Sequence, residues 1–236
     1  PSAMSVTATG GSESYTYQWY SNGSNSNSGG TIIGSATSNS YTPPASTAAT
    51  TYYYCTVSDG NSCSVTSNTA SQTIDADPSI SSQPSSGSDV CVGGSPSAMS
   101  VTATGGSESY TYQWYSNGSN SNSGGTIIGS ATSNSYTPPS SSAVTTYYYC
   151  VVSDAQSGCD AVTTNAASQA IDADPSISSQ PSSGSDVCIG GSPSAMSVTA
   201  TGGSESYTYQ WYSNGSNSNS GGTIIGSATS NSYTPP

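Results

Sequence analysis

The side chains able to do chemistry here are few in kind. Lys, Arg, His and Phe are absent, and the reactive groups are 12 carboxylates, six thiols and 18 phenols among many hydroxyls. A nucleophilic serine needs a base beside it. Without His or Lys only carboxylates remain for that task, and none lies in a triad pattern. No C-x-x-C pair offers a zinc site, and no Gly-rich stretch has phosphate-loop spacing. Paired carboxylates for glycoside hydrolysis would have to come from Glu108 and scattered loop Asp residues, with no sign of a cleft. The sequence therefore reads as a non-enzyme. Lys–Asn isopeptide cross-links are impossible. A formal charge of −12 with no cation excludes a nucleic-acid binder and an anionic membrane surface. No apolar run is long enough to span a bilayer. What remains is thiol chemistry, oxygen ligation of a hard cation, and aromatic contact.

The elements that position these groups come in repeats. The block PSAMSVTATGGSESYTYQWYSNGSNSNSGGTIIGSATSNSYTPP stands unchanged at 1–44, 96–139 and 193–236. The spacing, roughly 95 residues, is the size of one sandwich domain and too long for a solenoid repeat. A second shared stretch, IDADPSISSQPSSGSDVC, begins at 74 and again at 171, and its Asp-Pro interrupts a strand ladder. Boundaries are expected there: a partial domain at 1–76 without its opening strand, a whole domain at 77–173, and a partial domain at 174–236 without its last two strands. Residue 1 falls in mid-repeat and no secretion signal precedes it, so the sequence reads as a window on a longer chain.

Period-two alternation in SVTAT and YTYQWY argues for strands against disorder. In the whole domain, strands are expected near 78–92, at 97–104, 110–116 and 126–129, around Tyr136, and at 145–153 and 159–171. GGSES and NGSNSNSGG supply the turns, with Asn117-Gly118 a hairpin signal. Alternation places Met99, Val101 and Ala103 on one face, Tyr112 and Trp114 on the next, and Tyr148, Cys150 and Val152 near the end. A buried Trp on the third strand and a Tyr two residues before a late Cys is an immunoglobulin-like core, with Trp114, Tyr148, Cys150 and Val101 at its centre. The fold class expected is all-β: tandem immunoglobulin-like β-sandwich domains in an extended array.

Cysteine in a Lys-free, Ser/Thr-rich β protein suggests an oxidising, extracellular setting. The whole domain holds Cys91, Cys150 and Cys159. Cys150 has the late-strand position that pairs across such sandwiches, but Ala103 occupies its partner site. Cys91 lies in the opening strand, beside the last strand where Cys159 begins. The expected disulfide is Cys91–Cys159, with Cys63 equivalent to Cys159, Cys188 equivalent to Cys91, and Cys150 a buried free thiol. Cys91–Cys150 and Cys150–Cys159 stay open as alternatives. The last is disfavoured because Cys55 to Cys63 is one residue shorter.

The carboxylates Asp75, Asp77, Glu108 and Asp154 are expected to meet at a domain junction as a candidate Ca²⁺ site. Tyr147 and Tyr149 should point outward if Tyr148 points in, and Tyr115 flanks Trp114 in the same way. That row is a candidate contact surface, for sheet stiffening, protein contact or glycan stacking. Asn22, Asn117 and Asn214 fit the N-glycan acceptor pattern, which in this turn also fits plain turn chemistry.

The residues VCVGGSPSAMSVTATGG, YTYQWYSNGSNSNSGGTIIGSAT, SYTPP and TTYYYCVVSD resemble the immunoglobulin-like repeats of giant secreted surface adhesins of the Bacteroidota, of gliding-adhesin type. The resemblance covers most of every repeat. It implies an all-β sandwich, secretion to the cell surface, and a non-catalytic stalk or filament role in cell adhesion. Partners would be neighbouring repeats and other copies in a filament, with a glycan or surface ligand beyond. An array of carbohydrate-binding modules using exposed tyrosines is the alternative.

Overall fold

Period-two patterning carries through to the backbone: in the computed structural model, which describes residues 1–156 and 158–236, the chain is all β, with no helix among the described residues. The first repeat contributes β1 (Met4–Ser5), β2 (Thr16–Asn22), β3 (Thr31–Ile32), β4 (Ser40–Tyr41), β5 (Ala49–Ser58), β6 (Ser64–Thr66) and β7 (Ala70–Ile74). β2 and β5 run antiparallel from Thr16↔Ser58 to Asn22↔Tyr52. β3 flanks β2, while β6 and β7 share the other side of β5. β1 pairs with β4 through Met4↔Tyr41 in the opposing layer. Alternation turns Trp19, Tyr53, Cys55 and Val57 inward, where Met4, Val6, Ala8, Ile33 and Tyr41 pack on them.

The middle repeat repeats and extends this plan with β8 (Ser79–Ser82), β9 (Val90–Cys91), β10 (Met99–Ser100), β11 (Thr102–Thr104), β12 (Tyr110–Asn117), β13 (Thr126–Ile127), β14 (Ser135–Tyr136), β15 (Thr145–Asp154), β16 (Val162–Thr163) and β17 (Ala167–Asp172). One layer holds the pairs β8–β11 and β10–β14; the other is the sheet β13-β12-β15-β17-β9, with β16 also on β15. Met99, Val101, Trp114, Tyr148, Cys150, Val152, Ala167 and Ile171 are buried. Trp114 and Tyr148 both lean on Tyr136, at ring-centroid distances of 5.9 and 5.4 Å.

The opening strand expected over 78–92 is split in two. β8 joins β11, and after Gln83-Pro84 the chain crosses to the other sheet, where β9 lies parallel to β17. Pro84 is buried at the crossing and has no N–H to satisfy. Gln83 Oε1 accepts from Asn165 N, and Gly87 N donates to Ser168 O, so the segment is stitched along the last strand. Gly87 is needed there: a Cβ would lie 1.9 Å from Oε1 of Gln169. Two antiparallel layers closed by an opening strand that changes sheets make an immunoglobulin-like β-sandwich, and the chain carries such sandwich modules in tandem.

The third repeat holds β18 (Ser176–Ser179), β19 (Met196–Ser197), β20 (Thr199–Thr201), β21 (Tyr212–Ser213), β22 (Thr223–Ile224) and β23 (Ser232–Tyr233). They pair as β18–β20, β19–β23 and β21–β22. Trp211, the counterpart of Trp114, is half-buried. By compactness the chain forms two units. One is Pro1–Ser79 with Ala103–Thr111 and Ser153–Val162; the other is Ile80–Thr102, Tyr112–Val152 and Thr163–Pro236.

Candidate functional site

Three groups of residues carry what chemistry the chain has: the tyrosine face, the carboxylates at the loop ends, and the thiols. The tyrosine face is built by β12 and β15. Tyr148 points into the core, as alternation requires, so Tyr147 and Tyr149 take the other face. Tyr149 nevertheless is only 4% exposed. Its ring stacks on Tyr115 at 5.1 Å with the planes 6° apart, and its hydroxyl accepts from Gly125 N at 3.0 Å. The NGSNSNSGG loop therefore folds over the ring. A Cβ on Gly125 would stand 2.7 Å from Ser116 O and 2.8 Å from the Tyr149 ring. The expectation of an outward row of Tyr115, Tyr147 and Tyr149 is corrected here: Tyr149 is covered, and Tyr115 and Tyr147 are half-buried. Tyr20, Tyr54 and Gly30 reproduce the arrangement in the first repeat, with ring centroids at 5.0 Å. The paired glycine ending SNSGG was the signal for this cover, legible only once the loop's destination is known.

The loop itself is held by Asn117. Its Nδ2 donates to Ser123 O and Ser121 O, and its Oδ1 accepts from Ser119 N and Oγ. Asn22 and Asn214 do the same in their repeats. Turn chemistry thus engages the amide of every Asn-Gly-Ser site.

At the far end of β15 the carboxylate of Asp154 closes two loops onto each other. Ser107 donates to it through both N, at 2.7 Å, and Oγ, at 2.6 Å, and Gln156 N adds a third bond at 2.7 Å. These donors favour the charged form and hold the carboxyl below its ordinary value, the Ser107 hydroxyl most strongly. Asp59 is held low in the first repeat chiefly by the backbone amides of Asn61 and Cys63, with Ser12 N also donating. Asp77 Oδ1 accepts from Asp160 N at 3.0 Å. The expected calcium cluster of Asp75, Asp77, Glu108 and Asp154 is therefore not assembled. Among the described residues no three acidic or thiol side chains are grouped to hold a metal. The oxygens of Asp154 are already occupied by Ser107 and Gln156.

The cysteines require a second correction. All six thiols are free, so the expected Cys91–Cys159 bridge is not formed, nor is either alternative. The reason is topological. Cys91 lies opposite Asp172, past the register pair Thr145↔Ala170 and so at the start of β15, whereas Cys159 follows the end of β15. Ten residues of extended strand span about 30 Å, and a disulfide requires Cα atoms within about 7 Å. Cys150 is fully buried, its backbone N donating to Thr164 Oγ1 at 2.9 Å. Burial pushes its thiol up to about 11. Cys159 is also held above the ordinary thiol value, first by desolvation and then by the charges of Asp154, Asp77, Asp75 and Asp160. Cys63 and Cys188 are exposed. Thr164 was not anticipated; fully buried where the last strand kinks between β16 and β17, it fixes Cys150 from behind.

No helix is long and apolar enough to cross a membrane among the described residues. Among solved structures, a titin I-band fragment, I67–I69, aligns at 12% identity over 90% of this chain and 78% of that one, with a TM-score of 0.49. Extracellular domains 3–5 of Drosophila OTK align at 13% identity over 96% and 74%, with a TM-score of 0.40. Dpr2 Ig1–Ig2 in complex with DIP-Theta Ig1–Ig3 gives 12% identity over 90% and 72%, with a TM-score of 0.34. No curated protein matches. A family model described as "Domain of unknown function (DUF8696)" matches residues 1–76 and 81–173. Together these two matches span most of the sequence, and the chain belongs to that family.

Proposed function

We propose that this chain is a structural segment, stalk or filament, of a secreted bacterial cell-surface adhesin, non-catalytic and extracellular. One observation carries the reading: the same 44-residue block builds the same internal geometry each time. Trp19, Trp114 and Trp211 each donate from Nε1 to the carbonyl of Ser38, Ser133 and Ser230 at 2.9 Å. Gln18, Gln113 and Gln210 each bind the carbonyls of Ile33, Ile128 and Ile225 at 2.8 Å. Identical modules cannot carry different recognition sites, but they can repeat one interface indefinitely. The resemblance to Bacteroidota adhesin repeats adds the surface setting. Domain edges at 1–76, 77–173 and 174–236 are part of this proposal, with the Pro-restricted IDADP linker limiting how far modules can fold back. A chain with charge −12 and no cation also repels its copies at long range, which suits an extended fibre.

The carbohydrate-binding alternative needs an open aromatic platform, and Tyr149 beneath its loop removes the middle of that platform. Small-angle scattering or electron microscopy of three or more consecutive repeats tests the stalk. A rod rising some 35–45 Å per domain is expected from strands of about ten residues. Compact globules would overturn it.

A further inference from the structure

In the middle repeat β12 ends at Asn117, and the next residue is Gly118. Neither backbone nor packing requires a glycine there. Gly118 does not take a left-handed φ, and a Cβ built on it would meet no atom within 4 Å. The two glycines that close the same loop differ. Gly124 has a φ of 70°, and Gly125 is crowded by Ser116 O and the Tyr149 ring. What a glycine does at 118 is chemical: it leaves its own backbone nitrogen unshielded beside the Asn117 amide, in exposed chain.

The hydrogen bonds around that amide are arranged as for a reaction on it. Ser119 N and Ser119 Oγ both donate to Asn117 Oδ1, at 3.2 and 3.3 Å. Attack on Cγ puts negative charge on that oxygen, where placed donors stabilise it. Asn117 Nδ2 donates to Ser121 O at 3.3 Å and to Ser123 O at 3.1 Å, so a departing nitrogen has acceptors for its protons. Asn22 makes the same four bonds with Ser24, Ser26 and Ser28. Asn214 makes them with Ser216, Ser218 and Ser220.

We propose that Asn117 is a self-deamidation site whose conversion unfastens the loop over Tyr149. Gly118 N gives up its proton to solvent base and bonds to Asn117 Cγ. The Cγ–Nδ2 bond then breaks, and the nitrogen takes a proton from water and leaves as ammonia. Water opens the resulting cyclic imide at either carbonyl, leaving aspartate or isoaspartate at 117. Water is the only co-reactant, and nothing is oxidised or reduced. A carboxylate accepts hydrogen bonds but donates none. Where the amide held the Ser121 and Ser123 carbonyls, it repels them. The loop loses both ties to the end of β12, and with them the placement from which Gly125 N reaches the Tyr149 hydroxyl. Asn22 stands in the same relation to Gly30 and Tyr54. Tyr149 is thus covered in new chain and uncovered as the chain ages. This goes beyond the stalk reading and does not depend on it.

The test holds the whole chain at mildly alkaline pH, folded and in urea, and follows residue 117 by peptide mapping for the mass shift of amide-to-acid conversion. Conversion is expected in the folded chain. Gly118→Ala, which the open space around Gly118 admits, should slow it severalfold in both states. Ser119→Ala removes the hydroxyl donor and should slow it in the folded chain alone. An amide that survives in the folded chain while the urea sample converts overturns the proposal. So does folded Ser119→Ala converting at the parent rate. Hydrogen exchange on Asn117→Asp reads the second step. The Gly125 amide should lose its protection, while the Cys150 amide, held on Thr164 in the core, keeps its own. Gly125 protection unchanged in Asn117→Asp overturns the unfastening.

Discussion

Tyr149 lies flat on Tyr115, with ring centroids 5.1 Å apart, and receives a hydrogen bond from Gly125 N on its hydroxyl. The outward face of the sheet is thus roofed by its own hairpin loop. Stacked aromatic pairs of this kind add about 0.5–1.5 kcal/mol beyond their buried area.

Gly125→Ala should therefore destabilise the middle repeat by about 1–3 kcal/mol, because the new methyl meets the Ser116 carbonyl and the Tyr149 ring, neither able to yield cheaply. Tyr149→Phe keeps the stack and loses the bond, at about 1 kcal/mol. Urea midpoints of the two variants give both numbers. Equal midpoints for Gly125→Ala and the parent would mean that the loop does not close on the ring.

The core makes a sharper prediction. Trp114 is fully buried and its Nε1 donates to Ser133 O at 2.9 Å. Trp114→Ala should cost about 3–5 kcal/mol. The same change at Trp19, its counterpart at 2% exposure in the first repeat, should cost a similar amount, and paired melting curves compare the two sites.

Acid should loosen the loop ends before it unfolds the sandwich. Asp154 and Asp59 are held below the ordinary 3.8 by hydrogen-bond donors. A depressed carboxyl contributes stability that is present above its unfolded value and is lost as pH falls through its folded value. The loss therefore falls below pH 3.8, not in the neutral range. Hydrogen exchange should show Ser107 and Gln156 amides losing protection in that window. In Asp154→Ala they should be unprotected at every pH.

Thiol labelling checks the cysteine arrangement. Near neutral pH, Cys63 and Cys188 should react fastest, Cys91 and Cys159 more slowly, and Cys55 and Cys150 only on unfolding. The Cys150 thiol, pushed up to about 11, has almost no thiolate at neutral pH even where reagent can enter. Six titratable thiols in denaturant, without reductant, confirm that no bridge forms. Four would restore one disulfide.

Local information decided a great deal. Alternation alone placed Trp114, Tyr148, Cys150 and Val101 in the core, because a strand turns successive side chains to opposite faces whatever it later packs against. The repeat length and the turn residues likewise made a tandem sandwich readable from the sequence. What sequence could not supply was which segments meet across the fold. The opening strand reads as one run over 78–92, yet it changes sheets at Pro84, because each half finds a different edge to pair with. That switch sets Cys91 at one end of β15 and leaves Cys159 beyond the other, which is why the expected bridge is not made. The same holds for Tyr149. Alternation correctly sent it away from the core, but only a loop returning from more than 20 residues upstream, through Gly125, decides that the outer face is covered. Asp154 is the third case: its charge invited a cation, and its oxygens were instead taken by Ser107, 47 positions away in sequence. Period and composition act within a strand, whereas pairing, cover and ligation depend on contacts between distant segments that only the packed chain brings together.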